Sequence, residues 1–124
     1  MTSEDTRVGD IMSTPVETIS RDASASDAAA RMRDAGFNSL LVTTSPPGIV
    51  TSTDILDAVA EGTETATLSV QDLMTESVET VPPSIRVGEA AAMMTTFGIK
   101  HLPVVEDGDY VGMLSSTDLT AQMS

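Results

Sequence analysis

Gly98 to Asp118 reads GIKHLPVVEDGDYVGMLSSTD, and its pattern decides the fold. Ile99 to Val105 is apolar and β-branched, interrupted by Pro103. Glu106-Asp107-Gly108-Asp109 has turn chemistry, because glycine adopts the positive φ that tight hairpins need. Tyr110 to Leu114 is a second apolar run. Ser115-Ser116-Thr117-Asp118 then places hydroxyls and a carboxylate where a helix starts. The stretch predicts strand, hairpin turn, strand and helix N-terminus. A carboxylate beside hydroxyls at the mouth of such a unit can hold a ribose.

Outward from this stretch, the chain repeats itself. Val8-Gly-Asp-Ile-Met-Ser-Thr-Pro-Val-Glu-Thr-Ile19 matches Val70-Gln-Asp-Leu-Met-Thr-Glu-Ser-Val-Glu-Thr-Val81 at an offset of 62 residues. The same offset carries Asp27-Ala-Ala-Ala30 onto Glu89-Ala-Ala-Ala92, Gly36 onto Gly98, and Leu40-Leu-Val42 onto Leu102-Pro-Val104. Beyond the hairpin the offset is 64, and Gly48-Ile-Val-Thr-Ser-Thr-Asp54 falls on Gly112-Met-Leu-Ser-Ser-Thr-Asp118. In the first copy Ser45-Pro-Pro47 stands where the second has the longer acidic turn. Prolines lack a backbone donor and mark that end of the sheet as an edge. A doubled unit of this kind outranks any single-residue signal.

Each copy predicts the same elements. A short helical turn (Val8 to Met12; Val70 to Met74) leads to a strand (Val16 to Ile19; Val78 to Val81). A helix follows (Ser24 to Ala35; Arg86 to Phe97), capped in the first copy by Ser24 or Ser26 and ended by Gly36 or Gly98 in a left-handed conformation. Two strands come next (Ser39 to Thr43 with Gly48 to Thr51; His101 to Val105 with Tyr110 to Ser115). A last helix (Thr53 to Ala60; Thr117 to Met123) closes the copy. The expected fold is mixed α/β (α+β), β-α-β-β-α in each copy after the leading turn. One three-stranded sheet leaves a face bare, so the copies are expected to pack sheet to sheet with pseudo-twofold symmetry. The expected boundaries are 7–61, a polar linker at 62–69, and 70–124.

Composition narrows the function. The chain has 124 residues, 40% of them hydrophobic but only 2% aromatic, so its core is aliphatic. Met32, Met93 and Met94 read as packing residues of the crossover helices. Six basic residues against 19 acidic give a net charge of −13, which argues against nucleic acid and against anionic membranes. A pI near 4.1 with a single lysine fits either an ordinary solubilising surface or adaptation to high salt, where screening tolerates dense negative charge. Of these we expect a salt-loving, archaeal source. No apolar run is long enough to span a bilayer, and the N-terminus lacks a basic-then-apolar leader pattern, so a cytoplasmic location is expected. There is no cysteine and one histidine. With no glycine-rich phosphate loop and no short-range carboxylate pair, no catalytic residue and no metal ligand is assigned.

The doubled Asp-Ile-Met-Ser-Thr-Pro-Val and Asp-Leu-Met-Thr motifs, Gly-Ile-Lys-His-Leu-Pro-Val-Val, and the two Gly-x-x-(Ser/Thr)-x-x-Asp ends resemble a pair of CBS domains, the arrangement called a Bateman module. The resemblance spans about residues 7–124 and implies a stand-alone regulatory module, not an enzyme. It implies binding of an adenosine-containing ligand (AMP, ADP, ATP or S-adenosylmethionine) in clefts where the copies meet. It also implies a homodimer forming a four-motif disc, an unknown regulated protein, and no cofactor. The alternative is a structural or dimerisation module whose clefts hold no nucleotide.

The residues themselves support site assignments. Asp54 and Asp118 can accept both hydroxyls of a ribose in a fork. Thr51 and Ser115, three residues earlier, can bond ribose or phosphate oxygens. Simple capping explains the same Ser/Thr-x-x-Asp spacing. Around Thr14, Val16, Ser77 and Val78, main-chain groups can match the edge of adenine, or these segments only reverse the chain. Phe37-Asn38-Ser39 and Ile99-Lys100-His101 stand before the second strands. The resemblance implies that these positions line the base pocket and face phosphates, whereas a surface lysine and a strand histidine satisfied by backbone remain the plain alternative. One cleft would gather Asp118, Ser115 and Met113 with Thr14, Val16 and Phe37. The other would gather Asp54, Thr51 and Ile49 with Ser77, Val78 and Ile99. Lys100 and His101 border either.

Overall fold

The computed structural model describes residues 6–123. Met1 to Asp5, read above for a targeting leader, and Ser124, the end of the second repeat, lie outside the described residues. The elements follow the predicted order: α1 (Val8–Ile11), β1 (Thr18–Ile19), α2 (Ala25–Ala35), β2 (Ser39–Val42), β3 (Gly48–Thr51), α3 (Ser52–Ala60), α4 (Val70–Leu73), α5 (Val87–Phe97), β4 (His101–Glu106), β5 (Asp109–Ser115) and α6 (Ser116–Met123). They form a mixed α+β chain of two compact units. One is continuous, Glu17–Val78. The other is split, joining the segment that ends at Val16 to the chain from Glu79 onward.

Local chemistry sets the helix ends. Ser24 caps α2, its hydroxyl accepting the Asp27 amide at 3.0 Å. The cap choice left open between Ser24 and Ser26 thus falls to Ser24. Gly36 (φ 76°) and Gly98 (φ 65°) end α2 and α5 in the left-handed region, where a Cβ costs about 1–2 kcal/mol.

In the continuous unit, β1 pairs parallel with β2 and β2 pairs antiparallel with β3. Its core is Ile19, Ala28, Met32, Leu40, Val42, Val50, Ile55 and Val70. The split unit repeats that core position by position with Val81, Ala90, Met94, Leu102, Val104, Leu114, Leu119 and Val8. The leading turns are exchanged. Val8 of α1 is buried in the core built by the second repeat, and Val70 of α4 in the core built by the first.

The split unit departs from expectation at its first strand. The predicted strand Val78 to Val81 is absent, and only an isolated parallel bridge joins Val81 to Val104. Proline is the physical cause. In the continuous unit the Leu41 amide donates to the Glu17 carbonyl at 2.9 Å and the Thr43 amide to Ile19 at 3.2 Å. The second bond recurs as Val105 donating to Val81 at 2.9 Å. The first cannot recur, because Pro103 occupies the position of Leu41 and has no N–H.

The hairpins differ as well. Asp107 (φ 53°) and Gly108 (φ 84°) both lie in the left-handed region, as a two-residue turn matched to strand twist demands. A bulge at Val111 lets β5 bend between its pairs Val104–Gly112 and Val105–Tyr110. The shorter first hairpin turns through Ser45-Pro46-Pro47, where the Thr44 hydroxyl donates to the Pro46 carbonyl at 2.9 Å. The β3 edge that those prolines suggested is not open along its length, because Ile49 exchanges two backbone bonds with Thr75.

Candidate functional site

Each unit carries a carboxylate fork at the junction of a strand and a helix. In the split unit the Ser115 amide donates to Asp118 Oδ2 at 2.9 Å, and the Asp118 amide donates back to Ser115 Oγ at 3.1 Å. In the continuous unit the Thr51 amide donates to Asp54 Oδ2 at 2.8 Å, and the Asp54 amide to Thr51 Oγ1 at 3.3 Å. These are reciprocal capping boxes, so the capping alternative is realised in both copies. It occupies one carboxylate oxygen only. Among the described residues no hydrogen bond reaches Oδ1 of Asp54 or Asp118, and both side chains are half-buried.

Beside each fork the preceding strand opens from a fixed corner. The Ser116 amide donates to the Lys100 carbonyl, and the Ser52 amide to the Asn38 carbonyl, both at 2.9 Å. His101 pairs with Ser115 and Ser39 with Thr51. Ile99 and Phe37, half-buried, are tied to the ends of α5 and α2, their amides donating hydrogen bonds of 3.0 Å to the Met94 and Met32 carbonyls. Lys100 and Asn38 are exposed. Lys100 and His101 therefore stand beside the Asp118 fork, and the uncharged Asn38 and Ser39 beside the Asp54 fork.

A strap of main chain lies along the outer strand of each unit. Ser13 exchanges two backbone bonds with Met113, at 2.9 and 3.1 Å, and Thr75 does the same with Ile49, at 3.0 and 2.8 Å. The Val78 amide donates to the Pro47 carbonyl at 3.1 Å. The reading of these segments as free main chain needs correction at Ser13, Thr75 and Val78, whose groups are spent holding the strap down. Among the described residues the main-chain groups of Thr14, Val16 and Ser77 stay unengaged. Thr14 and Ser77 are exposed, Val16 and Val78 half-buried, and Ser77 has φ 54°. Met113 (8% exposed) and Ile49 (4%) lie beneath their straps.

Two glycines make the straps possible, and sequence reading passed over them. A Cβ on Gly112 would sit 2.6 Å from Met12 Sδ and 3.0 Å from the Ser13 carbonyl. One on Gly48 would sit 2.9 Å from the Thr75 carbonyl and 3.0 Å from Met74 Sδ. A glycine inside a strand is the usual mark of such close approach, and its recurrence beside a recurring methionine was the available signal.

The units sort the predicted residues. The split unit holds Asp118, Ser115, Met113, Thr14, Val16, Ile99, Lys100 and His101, and the continuous unit holds Asp54, Thr51, Ile49, Ser77, Val78, Phe37, Asn38 and Ser39. Phe37 is thus in a different unit from Asp118, and Ile99 in a different unit from Asp54. Among the described residues no cluster of His, Cys, Asp or Glu suited to a metal ion occurs, and no helix is long and apolar enough to cross a membrane.

Known proteins share this arrangement. A family model described as CBS domain matches residues 8–61 and 70–124. An uncharacterised Methanopyrus kandleri protein, MK0525, is 31% identical over 117 residues, covering 90% of this chain and 60% of its own length. An inosine-5′-monophosphate dehydrogenase from Nitrosopumilus maritimus is 34% identical over 92% of this chain, which corresponds to 24% of the enzyme. The chain thus spans less than two thirds of either relative. Among solved structures, the hexameric CBS-CP12 protein from bloom-forming cyanobacteria superposes with a TM-score of 0.88 at 28% identity, covering 93% of this chain and 70% of its own. The CBS domain pair of MJ0100, solved with 5′-methylthioadenosine and S-adenosyl-L-methionine, gives 0.82 at 30% identity and covers 95% of each chain.

Proposed function

The chain belongs to the CBS domain family, and from that premise we propose that it is a cytoplasmic regulatory module that binds an adenosine-containing ligand. Candidate ligands are AMP, ADP, ATP and S-adenosylmethionine. The observation that supports this reading most is the doubled fork. Asp54 and Asp118 each keep Oδ1 available while a capping bond on Oδ2 fixes the carboxylate. A vicinal diol offers two donors to such a fork. The unengaged main chain at Thr14, Val16 and Ser77 supplies donors and acceptors for the base. Ile99, Phe37 and Val78 supply apolar surface with Met113 and Ile49 buried behind the straps, and Thr51 and Ser115 stand beside the sugar.

Lys100 and His101 favour phosphate at the Asp118 fork, whereas Asn38 and Ser39 favour an uncharged 5′ group at the Asp54 fork. The bound state passes to another chain through differential affinity for two conformations. The proposed repeats, 7–61 and 70–124 with a linker at 62–69, supply one fork each, and no step of chemistry is assigned to either.

A second reading rests on a specific observation: Leu56 and Val59 of α3 are 66% and 57% exposed, and Phe97 of α5 is 51% exposed. Such surface suits a homodimer or a partner protein, with the forks serving as caps alone.

Calorimetric titration with the four ligands, in dilute and in molar salt, separates the readings. Saturable heat that is lost in Asp54→Asn or Asp118→Asn supports the sensor. No heat under any condition leaves the interaction module. The molar-salt arm also tests the salt-adapted origin, which predicts tighter binding of the anionic nucleotides AMP, ADP and ATP as the −13 charge is screened.

A further inference from the structure

Arg7 and Arg86 face each other across an isolated antiparallel bridge in the split unit. The Val8 amide donates to the Ile85 carbonyl at 2.9 Å, and the Val87 amide to the Thr6 carbonyl at 3.1 Å. Those bonds flank the two arginines, which makes them a non-hydrogen-bonded pair. In such a pair the Cα atoms approach to about 4.5 Å and both side chains leave the same face. Both residues are exposed. Two of the six basic residues of a strongly acidic chain are thereby set side by side.

The fold does not ask for arginine at either place. Each precedes a helix as its N-cap, where Ser, Thr, Asp or Asn normally satisfies the first turn, and neither side chain makes a cap bond. A cation at the start of the 11-residue α5 also opposes the helix dipole, and like charges directly opposed are unfavourable. The continuous unit has serine at both matching positions, and of these Ser69, like Arg7, makes no side-chain cap bond. At the same offset of 62, Ser24 and Ser69 form the matching bridge, and Ser24 caps α2.

Two acids stand close in sequence. Asp10 Oδ2 accepts the Arg7 amide at 2.9 Å, and Glu89 lies in the first turn of α5. Neither forms an ion pair with the arginines, and among the described residues the only salt bridge is Arg33–Asp34. A feature that breaks several local rules, with no compensation in the fold, marks a functional position.

We propose that Arg7 and Arg86 form a two-pronged binding site for a phosphoryl oxyanion, separate from the carboxylate forks. Each guanidinium presents a planar fork of donors that matches phosphate oxygens two at a time. Two such forks side by side suit a multiply charged phosphoryl group better than a single carboxylate. This site stands whether or not Asp54 and Asp118 hold a ribose.

The test is a titration of the full chain with sodium pyrophosphate, read at the arginine Nε–Hε resonances. Arg7 and Arg86 shift and saturate, while Arg21, Arg31 and Arg33 stay in place. The paired Arg7→Ser and Arg86→Ser variant, which installs the residues of the continuous unit, binds pyrophosphate at least about tenfold more weakly. It also melts higher than the parent when no anion is present. The paired Arg7→Lys and Arg86→Lys variant keeps the charge, loses the fork, and binds weakly too. Equal drift of all five arginines, or unchanged affinity in the serine variant, overturns the proposal. The wild-type resonances decide the matter even if a variant fails to fold.

Discussion

The continuous and split units are two solutions to one problem, and they differ in what surrounds an identical joint. Both set a reciprocal capping box on the strand-to-helix junction. Both clamp a strap to the outer strand over a glycine. Every core residue of the continuous unit has its counterpart in the split unit, whose core adds Val87. Yet the continuous unit completes three strands while the split unit has two and a bridge. The Asp54 fork neighbours Asn38 and Ser39, whereas the Asp118 fork neighbours Lys100 and His101. The repeat has kept the fork and the strap and has changed the charge beside them. Geometry is therefore the common property of the two sites, and electrostatics is where they diverge.

The strap gives the strongest way to break this comparison. Gly48→Ala drives a Cβ to 2.9 Å from the Thr75 carbonyl, a backbone atom that cannot step aside. A loss of about 2 kcal/mol in urea unfolding is expected. Gly112→Ala meets the Ser13 carbonyl at 3.0 Å and Met12 Sδ at 2.6 Å, so a similar loss is expected, and adding Met12→Ala relieves only the part due to the side chain. A loss at one glycine and none at the other would show that the two straps are not held in the same way.

The caps come next. Ser115→Ala and Thr51→Ala each remove the side-chain acceptor of an N-cap and should cost about 1 kcal/mol. The two costs are expected to be similar, because both bonds, 3.1 Å at Ser115 and 3.3 Å at Thr51, close the same reciprocal cap. A marked difference between them would indicate that packing, not the hydrogen bond, sets the cost.

Smaller still is the effect of charge. Lys100→Asn gives the Asp118 fork the neighbour that the Asp54 fork already has. It should weaken a phosphate-bearing ligand about two- to fivefold and leave stability unchanged. The same substitution should leave 5′-methylthioadenosine unaffected. Equal weakening of both ligands would remove the lysine from phosphate recognition.

Stability is also nearly unchanged by substitution at Pro103. Pro103→Ala restores an amide opposite the Glu79 carbonyl. A hydrogen bond of about 1 kcal/mol is offset by the greater freedom of the unfolded chain. The readout is hydrogen exchange: the new amide at position 103 is expected to be protected, extending the third strand. Rapid exchange there would refute proline as the cause of the short strand.

Most of the fold is legible because it is written twice. The offset of 62 residues aligns helices, glycine stops and core positions; capping chemistry places α2, α3 and α6 within a residue, and the repeat places α5, whose N-cap Arg86 makes no side-chain bond. The strand expected at Val78 to Val81 fails because repeat logic treats Leu41 and Pro103 as equivalent. They are equivalent in burial but not in hydrogen bonding. The forks are legible from Ser/Thr-x-x-Asp spacing, although spacing does not tell which carboxylate oxygen a cap consumes. The strap is signalled only by the strand glycine of each copy, since the use of Ser13 and Thr75 main-chain groups depends on which strand each segment lies along. The exchange of leading turns, Val8 for Val70, leaves no trace in local pattern, because both positions need only a buried valine.

The central claim is that Asp54 and Asp118 grip a sugar through its two adjacent hydroxyls. The most direct test measures the affinity of AMP and of its 2′,3′-dideoxy analogue for the parent, Asp54→Asn and Asp118→Asn. The account predicts that losing the hydroxyls weakens binding to the parent at least about tenfold, and that the penalty shrinks at whichever fork is substituted. AMP and the dideoxy analogue binding with equal affinity to the parent would contradict it.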